Sequence, residues 1–323
     1  MTIYPGKYVM IVNPISGRGA GQVAAQQLEL LARQAGLDYQ ILITQEVGHA
    51  ISLAEQAAVD GASVVVAVGG DGTANEVLNG LMQAIQSGRG RSVMGVIGVG
   101  RGNDFAFGAG IPAGLEIGFQ ILTEGVKRPM DVGCVRGGFF PQGRYFGNGV
   151  GIGFDAVVGF EALKLKHLHG FANYLVAALR TMFLYYRAPL LQIDLDHESI
   201  KMPALMVSIM NGRRMGGGFM MAPTSHLADG LLDCCLVGQV SRTGILGLIP
   251  KFTKGTQAGH PKVNMRQSRL VTVTALNGSL PAHADGETLC TEGDVLAIEL
   301  LPSVLEIIRP EKAIVPGDTY VAA

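Results

Sequence analysis

The 323-residue chain carries 25 Lys and Arg against 26 Asp and Glu, with 48% apolar residues, 16% charged residues and 46 glycines. Near-neutral charge excludes the basic surplus of a nucleic-acid binder, and low charge with periodic apolar segments excludes disorder. The length suits two domains with a core each, and without a Gly-X-Y repeat the glycine surplus points to sharp turns and close backbone approach to a ligand.

At the N-terminus, the apolar stretch is too short for a signal peptide. Tyr8–Val12 is a continuous apolar run, the pattern of a strand buried on both faces, and it ends at Asn13-Pro14 and the glycines of NPISGRGAG. A helix follows with Ala24, Leu28, Leu31 and Ala35 on one face, then a strand at 39–43, a helix across Ile51, Ala54 and Ala58, and a strand at 63–68. Residues 73–86 place Ala74, Val77, Leu78, Leu81 and Ile85 at helical spacing, and 94–97 forms another strand. This alternation predicts an open, mostly parallel α/β sheet with helices on both faces for a domain of residues 1–130.

Near Lys127–Asp131 the texture changes. Leu191, Ile193 and Leu195 alternate with polar residues, as do Val271, Val273 and Ala275, and further strands are expected at 145–154, 204–210, 232–237 and 295–300. Such a set predicts a mainly antiparallel β-sandwich for residues 131–323. A helical insert near 160–187 interrupts it, with Leu168, Phe171, Leu175, Ala178, Met182 and Tyr186 on one stripe. The C-terminal tail is a candidate to return to the first domain. Asn173 and Arg180 interrupt the most lipid-like stretch, and no apolar run reaches about 18 residues, so a cytoplasmic protein without a membrane-crossing helix is expected. Cys134, Cys234, Cys235 and Cys290 lack metal-ligand spacing and read as reduced, buried thiols.

The sharpest motif is Val64–Glu76, VVVAVGGDGTANE, in which an apolar strand runs into Gly69-Gly70-Asp71-Gly72 and a helix begins at once. Glycines there let backbone N–H groups converge on a ligand, and the helix offers its positive end to phosphate. Thr73 and Glu76 fit a capping box. Two more glycine-rich turns follow strand ends, at Asn13–Gly19 and at Gly98–Asp104. Each alone is weak and lacks the Walker A ending. Three at the carboxyl ends of strands in one α/β sheet mark the edge where such folds bind ligands. On the residues alone, Asp285-Gly286-Glu287 is most simply a hairpin tip, and Ala228-Asp229-Gly230 is equally a plain turn or a site for a hard cation. No H-E-x-x-H or G-x-S-x-G pattern occurs, and His167 and His169, beside Lys164 and Lys166, read as solvated.

In this order the motifs resemble the diacylglycerol kinase catalytic-domain family, particularly its bacterial lipid kinases, with sphingosine kinases as relatives. The shared segments are VNPISG, GGDGTANEVLNGL, a G-x-G-N-D-F segment ending at Gly110-Ile111-Pro112, YFGNGVGIGFD at 145–155, ADGLLD at 228–233, and Asp285-Gly286-Glu287. G-G-D-G-T alone is shared with NAD kinases and phosphofructokinases. The resemblance implies an NAD kinase-like first domain and an ATP site. That site would be lined by Asn13, Pro14, Ser16, Gly17, Thr44, Gly69, Gly70, Gly72, Thr73, Asn75 and Glu76, with Arg101, Asn103 and Asp104 from the third turn. It implies Glu287 as the proton acceptor, with Asp71 and Asp285 as further catalytic carboxylates. It also implies Mg²⁺ on Asp229, with backbone carbonyls around His226 and Leu231. Where the family usually has G-T-x-N-D, Arg101 follows Gly100. Arg101 there offers a charged phosphate contact in place of a hydroxyl, or else blocks the family's nucleotide pose.

The expected activity is ATP- and Mg²⁺-dependent phosphorylation of a diacylglycerol-like hydroxyl. A NAD kinase-type phosphotransferase and a non-catalytic lipid- or nucleotide-binding module are the alternatives. No Asp or Glu occurs from Cys234 to Ala284, where Arg242, Lys251, Lys254, Lys262, Arg266 and Arg269 surround the apolar segment Ile245–Pro250. That asymmetry suits a peripheral contact with a membrane surface carrying the lipid substrate, or a solvated basic face.

Overall fold

A computed structural model describes residues 3–165 and 170–312. His167, His169 and Lys166, and Leu168 of the expected stripe, lie outside the described residues. The chain forms two compact units: one runs to Met130 and is rejoined by the chain from Ser303, and the other is Asp131–Pro302.

The first unit alternates β1 (Tyr8–Val12), α1 (Ser16–Gln34), β2 (Tyr39–Ile43), α2 (His49–Val59), β3 (Val64–Gly69), α3 (Asp71–Gln86), β4 (Val93–Gly98), the short α4 (Asp104–Gly108) and α5 (Leu115–Glu124). The strands are parallel in the order β4-β3-β1-β2. The end of the long last strand, Val295–Arg309, lies parallel beside β4, with Ile307 opposite Met94. Every residue of β1, β3 and β4 is buried, whereas the edge strand β2 is half-exposed, which is why the inner strands read as unbroken apolar runs. In α1 the buried stripe is Gly21, Ala24, Leu28 and Ala32. Leu31 and Ala35, expected on that face, are not buried, because the helix rotates its 3.6-residue period about Gly21, which lies against the carbonyl of Asn13.

The second unit is antiparallel, as its alternating segments indicate. Two sheets enclose a core that includes Phe146, Val150, Ile152, Ile193, Val207, Ile209, Val273 and Leu296. A strand at Ser199–Met210 serves both sheets: its first half pairs with Leu190–Asp194, and its second half pairs with Gly149–Gly153 and Leu232–Gly238. Helices Phe154–Lys164, Gly170–Leu184 and Arg242–Lys254 cover the outer face of the second sheet, over Leu205, Met206 and Met210. Both faces of that strand's second half, Ala204–Met210, are therefore buried. The expected single strand over 145–154 is two strands, Phe140–Phe146 and Gly149–Gly153, broken by a turn at Gly147-Asn148. The apolar segment at 245–250 faces inward: Ile245 and Leu248 are buried, while Leu246 is 45% exposed. All four cysteines are free and buried, and burial pushes the Cys235 thiol up to about 12. Among the described residues, no helix is long and apolar enough to cross a membrane.

Candidate active site

In the first unit, β1 has β2 on one side and β3 on the other. The connection after β1 runs to β2 on one side and that after β3 runs to β4 on the other, so the crevice at the carboxyl ends of β1 and β3 is a topological switch point. All three glycine-rich turns arrive there. The N–H groups of Val99 and Gly100 donate to the Gly69 carbonyl at 2.9 and 3.1 Å. A methyl group on Gly100 would run into Gly70 Cα, and one on Gly17 would run into the Val99 carbonyl. Gly17, Arg18 and Gly19 hold φ of 59°, 65° and 92° in succession, which bends the first turn back before α1 proper begins. Asn13 Oδ1 accepts from Ile15 N, and its Nδ2 donates to Thr73 Oγ1, each at 3.2 Å, joining the first turn to the second. Ser16 Oγ stands near Gly70, and a Cβ on Gly70 would be 3.7 Å from it. Thr44 is buried at the end of β2, its N–H donating to the Val12 carbonyl at 2.9 Å.

Helix α3 begins at Asp71 with Gly70 as its cap and no side-chain capping bond. Its first N–H groups therefore keep the anion-binding character of a helix start. The expected capping box does not form. The helix starts two residues before Thr73, and Glu76 instead accepts from Gly48 N at 2.9 Å and Ala50 N at 3.1 Å, capping α2. Asn75 is also turned inward: it is 0% exposed and accepts from Asn79 Nδ2. Glu76 thus supports the neighbouring helix, whereas Asn13, Ser16, Gly70 and Thr73 are gathered together where the first two turns meet. Asp71 Oδ1 accepts from Phe105 N at 2.9 Å, and a Cβ on Gly102 would stand 2.7 Å from Asp71 Oδ2. Asp71 thereby holds the third turn, which keeps Asn103 (φ 52°) and Asp104 buried and leaves Arg101 exposed.

In the second unit, Leu280–Ala284 and Glu287–Gly293 form a hairpin. Asp285 (φ 47°) and Gly286 (φ 88°) make its two-residue turn, the left-handed pair that a D-G sequence favours. The turn is not a solvated tip. Asp285 is 8% exposed, and its carboxylate accepts from Gly147 N at 2.8 Å, Asn148 N at 3.1 Å and Gly149 N at 2.8 Å. Its oxygens are committed to three backbone donors, so its work is to hold the hairpin against the Gly147-Asn148 turn. Glu287 differs: it is half-buried, and its carboxylate has no hydrogen-bond or ion-pair partner among the described residues. Asn211 completes the support. It is 0% exposed and donates to the carbonyls of Asp131 and Gly147, both at 2.9 Å. Its sequence context carries no signal of this role. The Asn148-Gly149 pair, by contrast, is a turn signal that an apolar surround conceals.

The Asp229 turn is a separate arrangement in the same unit. Gly230 (φ 78°) donates to Asp131 Oδ2 at 2.7 Å, and Leu231 N donates to Asp229 Oδ1 at 3.1 Å. Asp229 and His226 are exposed. Nearby Asp233 is buried, with Oδ2 unpartnered among the described residues. Its pKa is raised chiefly by burial, and the Asp229 charge adds to the rise. A cation on Asp229 and the neighbouring carbonyls would offset both effects, and such an all-oxygen donor set suits Mg²⁺. No three His, Cys, Asp or Glu side chains converge among the described residues, so carbonyls and water would complete the shell.

Comparison with known proteins agrees with this layout. The diacylglycerol kinase catalytic domain matches residues 7–135, and the YegS C-terminal NAD kinase beta sandwich-like domain matches residues 148–309. A diacylglycerol kinase of Mycobacterium tuberculosis is 27% identical over 94% of this chain and 96% of its own. A YegS-like lipid kinase of Enterobacter sp. (strain 638) is 30% identical over 96% and 98%. The fold matches a diacylglycerol kinase crystal structure from Bacillus anthracis str. Sterne with a TM-score of 0.72 at 22% identity, covering 96% of this chain and 98% of that one. It also matches an Archaeoglobus fulgidus NAD kinase in complex with ATP, with a TM-score of 0.52 at 12% identity and 95% of each chain. With both domain families matched in order across nearly its whole length, this chain belongs to the diacylglycerol kinase catalytic-domain family, among the YegS-like lipid kinases.

Proposed function

We propose that the protein transfers the γ-phosphoryl group of ATP, with Mg²⁺, to the hydroxyl of a diacylglycerol-like lipid. The observation that carries this reading is the contrast at the D-G-E turn. Asp285 is fully engaged in holding the hairpin, while Glu287 is left with a carboxylate able to accept a proton. In this reading the α3 N-terminus and the glycine turns hold the phosphates. The carboxylate of Glu287 takes the hydroxyl proton as the lipid oxygen bonds to the γ-phosphorus and the bond to ADP breaks. Mg²⁺ bound with the nucleotide would supply positive charge against the phosphate oxygens. Gly100→Ala would force the third turn off Gly70, an overpacking cost of about 1–3 kcal/mol. Calorimetry should therefore show ATP affinity lowered by roughly tenfold or more, and unchanged affinity would place the phosphates elsewhere.

The lipid half of the reading draws on the names of the relatives and on the second unit. There, a cavity of about 60 Å³ is lined by Phe154, Val158, Leu205, Phe219, Leu248 and Phe252, with Asp155 as its charged lining residue. It has room for a short stretch of hydrocarbon. Exposed Arg242, Lys254, Lys262 and Arg269 supply the cations of the proposed peripheral membrane contact.

Incubation with labelled ATP, Mg²⁺ and a panel of lipid alcohols, with NAD included, tests the whole reading. Label on a diacylglycerol-like lipid supports it, label on NAD replaces it with a NAD kinase, and no transfer leaves a binding module. Asp229 is tested separately. Added Mg²⁺ without nucleotide should raise the wild-type Tm, since a ligand of the folded state alone stabilises it, and should leave Asp229→Ala unmoved. Equal behaviour of the two proteins would make the site a plain turn.

A further inference from the structure

His283, the fourth residue of the strand Leu280–Ala284, lies 7% exposed just before the Asp285-Gly286 turn. Its Nδ1 accepts the N–H of Gly286 at 3.3 Å. In that bond Nδ1 is the acceptor, which assigns the ring hydrogen to Nε2. Nε2 faces a space above Gly151: a Cβ placed on Gly151 would stand 2.6 Å from Nε2 and 2.6 Å from Asp155 Oδ2. The imidazole N–H and the carboxylate share a gap that only glycine leaves open. Asp155 Oδ2 also accepts from Ser208 Oγ at 2.9 Å. Burial raises the Asp155 pKa, and His283 and Ser208 oppose the rise.

On the helix that carries Asp155, Gly159 lies beside the ring, and a Cβ there would stand 3.7 Å from His283 Cδ2. Thr288 lies opposite on the paired strand, and Gly151 is opposite on the other side. The Cys235 thiol, near Asp155, is held neutral by burial.

We propose that His283 is a positioning residue for Glu287: its Nδ1 fixes the Gly286 amide between Asp285 and Glu287, and its Nε2 stands across the Gly151 space from the buried Asp155, which accepts from Ser208. The role in turnover rests on the lipid-kinase reading above. Loss of the Nδ1 acceptor would release the Gly286 N–H and the turn from one side, displacing the base. Catalysis is sensitive to such displacement, since an error of about 1 Å costs on the order of 10²-fold.

In lipid phosphorylation assays, His283→Ala should lower kcat by about 10²-fold with KM for ATP within about twofold. His283→Asn keeps an acceptor oxygen in the region of Nδ1. It should return kcat to within about threefold of wild type. A wild-type kcat in the Ala variant overturns the proposal. So does an Asn variant that is as slow as Ala. If wild type phosphorylates no lipid alcohol, the lipid-kinase reading falls on its own, and ¹⁵N NMR of the wild-type ring decides the remainder. A hydrogen on Nε2 with the Gly286 amide protected from exchange upholds the positioning of the turn, and a hydrogen on Nδ1 overturns it.

Discussion

Glu287→Gln is expected to lower kcat by about 10²–10⁴-fold while ATP binding stays near the wild-type level. The side chain keeps its size and loses its basicity. Because the Glu287 carboxylate has no partner among the described residues, the change strands no buried donor. Stability should therefore stay within roughly 0.5 kcal/mol of wild type, the range for a substitution that breaks no buried interaction. That separation makes the experiment informative. A large fall in kcat with an unchanged Tm identifies a group that acts in the transition state, and wild-type turnover would remove Glu287 from the base position.

Asp285→Ala should behave in the opposite way, losing stability and activity together. The carboxylate satisfies three backbone N–H groups in a nearly closed environment, and each buried donor left unpaired costs about 1–3 kcal/mol. A loss of at least roughly 3 kcal/mol corresponds to a fall in Tm on the order of 10 °C for a unit of this size. Asp285→Asn keeps one acceptor oxygen but sets an amide NH₂ against the donors, and should fall between the two. A Tm equal to wild type with lost turnover would return Asp285 to the catalytic group that the family resemblance implied.

The two acidic residues of one tripeptide thus separate into different roles, and the sequence offered no means of separating them. Asp285 and Glu287 flank the same glycine and carry the same charge. Only the turn at Gly147-Asn148, brought from 136 residues or more away, decides which carboxylate is committed. The T-x-x-E pattern shows the same limit. Thr73 and Glu76 have the spacing of a capping box, yet a neighbouring helix with uncapped N–H groups at Gly48 and Ala50 lies within reach of Glu76 and takes both its oxygens. Local spacing establishes what a side chain is able to do, and tertiary packing selects among its partners.

What the sequence determined by itself was the alternation of strand and helix, the shift to antiparallel strands, and the location of the three glycine turns. Each follows from short-range constraints: apolar runs suit strands buried on both faces, and glycine tolerates turns where a Cβ would collide. The tertiary structure alone decided that the 145–154 segment breaks at Asn148, that Glu76 caps a neighbouring helix instead of its own, and that His283 and Asp155 border one space over Gly151. Those contacts join residues that are distant along the chain, and their partners are chosen by burial and by the need to pair every buried polar group. No periodicity encodes that choice.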